Sequence, residues 1–202
     1  MLILSRTLRV PIAAAAVFVG VFLSAPALAQ AHIRGTLTDA KDGTISVQTA
    51  KGETKSIKLA NDTGLFLVTK ADMSAIQSGK FVGVTSFEQE GKRVAREVHV
   101  FDDSLRGLAE GHYPWDLDSK PNMMTNANIA KVDEIGTDRV LKLNYKGGEQ
   151  TITIPTSATV VAFNKAPADQ LATGRMVFVI MKKDSSEAAA VVIGAEGVKP
   201  PM

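Results

Sequence analysis

Three observations predict a mostly β fold of two tandem small barrels, each with one short helix, behind an export signal. Apolar and polar residues alternate at a period of two in one short run after another, the mark of half-buried strands. The order of these runs, with their turns and glycines, recurs at an offset of about 95 residues, which is the signature of a duplicated unit. Sustained helical periodicity is scarce.

The chain opens with Arg6 and Arg9 ahead of an apolar run from Val10 to Leu23, too short for the roughly 20 residues of a comfortable bilayer span. Ala27-Leu28-Ala29 is an A-x-A cleavage site, so residues 1–29 are expected to be a signal peptide removed before Gln30. Ala29-Gln30-Ala31 is a second A-x-A; cleavage there would leave His32 at the terminus, where amine and imidazole chelate Cu(II). The expected location is the periplasm, as a soluble protein without a membrane span. The full chain of 202 residues has 23 Lys plus Arg against 21 Asp plus Glu; losing Arg6 and Arg9 leaves 21 of each, so the basic balance belongs to the signal. A nucleic-acid partner needs a dense basic patch. The pair Lys182-Lys183 sits beside Asp184 and Glu187 and reads as a solvated hairpin. The absence of cysteine excludes disulfides, thiolate metal sites and cysteine nucleophiles.

The first repeat spans 30–101. Ile33 to Leu37, Thr44 to Thr49, Ser56 to Leu59 and Leu65 to Val68 read as four strands. A helical turn over Asp72 to Ile76 ends at Gly79, as helices often do at glycine. Phe81 to Phe87 and Val94 to Phe101 complete the unit around the turn at Glu88 to Lys92. The second repeat, 125–196, matches it. Ala127 to Val132, Val140 to Tyr145, Thr151 to Ile154 and Thr159 to Phe163 answer the four strands. Ala168 to Leu171 answers the helix, Gly174 answers Gly79, and Met176 to Ile180 with Ala188 to Ile193 answer the last pair. Six strands with one helix before the fifth fit a closed or half-closed barrel, which hides strand edges. A unit of about 70 residues is near the lower limit for a core of its own, so the barrels should pack together. The segment 102–124 has no counterpart and reads as a structured connection; 197–202 reads as a flexible tail.

Two motifs carry a resemblance. G-x-x-V-x-V, at Gly79, Val82 and Val84 and again at Gly174, Val177 and Val179, resembles the small OB-like β-barrels repeated in tandem in uncharacterised bacterial periplasmic proteins. E-V-H-V-F (Glu97 to Phe101), followed by Arg106, Gly107, Glu110, Gly111, His112, Pro114, Trp115 and Asp116, is similar to a group of these, some labelled metal transporter components. The resemblance implies an OB-like fold over nearly the whole mature chain. A permease role does not follow, since no span serves one.

The functional expectation centres on residues 99–116. Long connections within compact proteins are usually functional or linkers, and this one holds two of the three histidines and the only tryptophan. The first reading is a non-enzymatic binding or accessory protein that contacts a protein or small ligand through Arg106, Glu110, His112, Tyr113, Trp115 and Asp116, without a cofactor. In its plainest form the segment is a connector whose Trp115 wedges between the barrels. The second reading is a periplasmic metal-binding protein using His99, Glu110, His112 and Asp116. Two imidazoles with carboxylates suit Zn or Cu, and Met123 and Met124 add thioethers suited to Cu(I). The third is a hydrolase, drawing on Ser104 or on Glu110 with Asp116 as a carboxylate pair; no nucleophile elbow surrounds Ser104. Arg106 and Glu110, four apart, read as a local salt bridge.

Overall fold

The structure, a computed structural model, describes residues 31–117 and 121–200. The expected signal at 1–29 lies outside these residues, as do the end of the tail and part of the connection. The described chain is mostly strand: β1 His32–Lys41, β2 Thr44–Thr49, β3 Thr54–Lys70, β4 Phe81–Gln89, β5 Lys92–Phe101, β6 Gly111–Trp115, β7 Asn122–Ile135, β8 Asp138–Tyr145, β9 Gly148–Ile154, β10 Thr159–Lys165, β11 Met176–Met181 and β12 Glu187–Gly194. The expected helices are instead single 3-10 turns, Met73–Ala75 and Ala168–Gln170, at matching places in the repeat. Among the described residues no helix is long and apolar enough to cross a membrane.

Local chemistry explains the hairpins. At Asp42-Gly43, φ is 50° and 69°; at Glu90-Gly91, 51° and 73°. Two successive positive φ values make the two-residue turn whose twist matches its flanking strands, and glycine enters that region freely. The strands keep the expected alternation. In β2, Ile45 and Val47 are fully buried while their neighbours are not.

The strands pair differently from the tandem expectation. One closed ring runs β1, β2, β3, β12, β11 and back to β1; the other runs β4, β7, β8, β9, β5 and back to β4. Each five-stranded ring therefore takes strands from both halves of the chain. The exchange is symmetric. Gly79 N–H donates to Ile129 O and Ile129 N–H to Lys80 O, both at 2.8 Å; in the other ring Gly174 N–H donates to Leu37 O and Leu37 N–H to Arg175 O, again at 2.8 Å. Alternation could not distinguish these arrangements, because the two copies carry the same pattern and each strand buries the same face with either partner.

Each ring encloses its own core, built around Leu37, Val47, Ile57 and Val191 in one and Val84, Val98, Leu141 and Ile152 in the other. A third cluster lies between the rings and includes Phe81, Phe101, Phe163 and Phe178. β10 bridges them, antiparallel to β3 and parallel to β5. Lys182 fastens the β11–β12 turn to β3, its Nζ 2.8 Å from Asp62 and 3.1 Å from Glu187.

Candidate functional site

The site begins with alternation along β5. Val98 and Val100 point into the ring core, so Glu97, His99 and Phe101 take the opposite face, which is covered by the rest of the molecule. His99 lies opposite Gly83 on β4, and Gly83 opposite Asn126 on β7. A side chain at position 83 would not fit: a Cβ there would lie 2.7 Å from Asn126 Oδ1, 3.1 Å from Phe101 Cε2 and 3.3 Å from His99 Nδ1.

The connecting segment roofs this face. Asp102 accepts from the Ser104 N–H at 2.9 Å and from Ser104 Oγ at 2.6 Å, capping a 3-10 turn that buries Leu105 between the rings. Those bonds hold the Asp102 carboxyl below its ordinary range, led by the Ser104 hydroxyl. Arg106 donates to Asn128 Oδ1 at 2.5 Å, to Gly79 O at 3.0 Å and to Asp103 at 3.1 Å. The chain then turns twice and returns as β6 along the edge of β7. Asn126 Nδ2 donates to Leu108 O at 3.1 Å and to Tyr113 Oη at 3.3 Å, and that hydroxyl donates to Ala109 O at 3.4 Å.

Beneath the roof lies a pocket of 290 Å³, lined by His99, Asn126, Tyr113, Trp115, Met124 and the rings of Phe66, Phe101 and Phe163, with Ile180, Ala190 and Val192 from the other half. Leu108 also lines it and stays 37% exposed. Asn126 is 5% exposed, and its Oδ1 is buried without a hydrogen-bond partner, as is Trp115 Nε1. Beside them Glu97 Oε2 is buried without a hydrogen-bond partner, 3.6 Å from His99 Nε2. Burial raises the pKa of Tyr113 and keeps it a neutral phenol. A larger open groove of 870 Å³ follows β5 and β9, where those strands pair through two residues only.

The residues expected to act together take separate places. His112 pairs with Thr125, the neighbour of Asn126, and so lies on the sheet face away from His99. Its Nδ1 is 2.8 Å from Thr125 Oγ1 and its ring stacks on Tyr145. Burial depresses its pKa, and the Arg93 charge adds to this. Glu110 accepts from Lys146 N–H at 3.1 Å rather than pairing with Arg106. Asp116 Oδ1 lies 2.5 Å from His32 Nδ1 and 3.3 Å from Arg34. Burial would raise the Asp116 pKa, but these hydrogen bonds outweigh it and the net shift is downward. The four donors considered for Zn or Cu thus serve four different contacts. The described residues hold no group of three or more His, Asp or Glu side chains placed to share an ion. Ser104 binds its own capping carboxylate, and Glu110 and Asp116 face different partners, so neither hydrolase arrangement assembles. His32, considered as a terminal chelator, opens β1 with its ring 4.8 Å from Trp115 and 5.0 Å from Phe178.

Of the expected contact residues, Tyr113 and Trp115 line the pocket, while Arg106, Glu110 and Asp116 anchor its roof. Asn126, Gly83, Phe66 and Phe163 were not foreseen as site residues; the alternation along β5 places Glu97, His99 and Phe101 on one face, and strand pairing alone brings the others to it. No protein-family model matches the chain, and comparisons with curated proteins and solved structures found no match.

Proposed function

We propose that this is an exported, non-enzymatic binding protein of the periplasm, built on two OB-like barrels, that holds a small molecule in the pocket formed around residues 99–116. One observation carries the reading: a mostly apolar pocket whose wall residues include a buried acceptor, Asn126 Oδ1, and a buried donor, Trp115 Nε1, both without partners. Buried polar groups are nearly always satisfied, so two orphans at one pocket call for a ligand that completes them. The volume is at the small end for ligand sites, where a few polar groups set orientation within apolar walls. Binding without turnover is the better reading, because no serine, threonine or lysine nucleophile lines the pocket beside His99 among the described residues.

The test is native mass spectrometry of the chain after export. The expected result is an intact mass that begins at Gln30, with a small-molecule adduct. Ala190→Phe, which fills the pocket from β12, should lose the adduct with the strand spectrum unchanged. An adduct that survives Ala190→Phe would contradict the pocket. So would a chain without an adduct whose Trp115 fluorescence responds to no small molecule.

A further inference from the structure

Resting on that reading of the pocket, we infer that its ligand is a small organic cation, an amine on a short apolar arm. The walls are the first ground. Five of the chain's eleven aromatic rings line this space: Phe66, Phe101, Phe163, Tyr113 and Trp115. They form two groups on its wall, with Phe66 and Phe101 centred 5.1 and 4.8 Å from Phe163, and Tyr113 6.1 Å from Trp115. Ring faces carry negative potential and attract a cation within about 6 Å of the centroid, most strongly where water is excluded.

Charge is the second ground. Among the described residues no lysine or arginine lines the pocket. Among the described residues, two buried oxygens at and beside it have no hydrogen-bond partner and can accept, Asn126 Oδ1 and Glu97 Oε2. The Asn126 amide is oriented by its own bonds: Nδ2 donates to Leu108 O, which can only accept, so Oδ1 is the atom left over. Asn126 Oδ1 and His99 Nδ1 border the same gap above Gly83, both within 3.3 Å of where a Cβ would stand. Glu97 Oε2 stands behind His99, 3.6 Å from its Nε2. An ammonium group in the pocket gives an N–H to Asn126 Oδ1 and sets a positive charge on the side of His99 away from Glu97. An anion there meets two acceptors and gains only the Trp115 N–H.

The experiment titrates the full mature chain with three probes of one shape, followed by Trp115 fluorescence and calorimetry: phenethylamine, its neutral isostere 2-phenylethanol, and the anion phenylacetate. Phenethylamine is expected to bind at least about tenfold tighter than the other two, in the range of a desolvated cation over aromatic faces. Glu97→Gln should remove most of that preference and leave 2-phenylethanol binding unchanged. Equal binding of amine and alcohol, or tightest binding of phenylacetate, overturns the cation and leaves the pocket standing. The same holds if no probe binds while a small molecule co-purifies and is lost in Ala190→Phe. Silence of all three probes with no co-purifying molecule sinks both.

Discussion

His112 and Gly83 show at the scale of single residues how the site is held. Burial, with the Arg93 charge behind it, depresses the folded pKa of His112. A group of this kind contributes stability that is full above the unfolded value of about 6.5 and is lost as pH falls below it, because the unfolded chain binds the extra proton. Melting temperature should therefore fall more between pH 7.5 and 5.5 in the wild type than in His112→Asn; parallel curves would contradict the assignment. Gly83→Ala forces a methyl to within 2.7 Å of Asn126 Oδ1. Overpacking of this kind costs about 1–3 kcal/mol. Urea denaturation should show that loss, together with weakened ligand binding. Alternation did place His99 on the face opposite Val98 and Val100. Its approach to Asn126 was not legible, because strand pairing sets it rather than anything local to β5.

At the scale of elements, the hairpins and core strands were readable because one face is apolar and the turns carry glycine. β6 and the first turns of β7 were not. Pro114 argues against a strand, and proline is tolerated here because β6 lies at an edge. From Asn122 to Ala127, β7 is buried on nearly every residue, since the roof covers its outer face, so polar and apolar residues do not alternate there. Nor did the helical turns lengthen beyond one 3-10 turn each, where the chain only has to cross from one ring to the other. The join between rings depends on Phe178. It is fully buried, with the Arg34 guanidinium 4.7 Å above its ring and Trp115 5.9 Å away. Phe178→Ala should cost about 3–5 kcal/mol in urea unfolding and shift the Trp115 emission, which reports the same seam. A loss below about 1 kcal/mol would mean that the rings are held elsewhere.

At the scale of the molecule, the duplication was legible and the exchange was not. A repeat gives both copies the same faces to bury, and nothing in a periodic pattern states which copy a strand will join. The exchange has a functional consequence: Tyr113 and Trp115 come from the first half, and Asn126, Ile180 and Ala190 from the second, so neither half owns the pocket. The most direct measurement of this claim divides the chain between residues 117 and 121 and examines the two pieces apart and together. The interlocked account predicts that each piece alone lacks cooperative unfolding, since neither can close a ring. Mixed, they should form a one-to-one complex with the Trp115 emission and ligand response of the intact chain. If residues 31–117 alone fold cooperatively and bind, the rings are separate tandem units and the account is wrong.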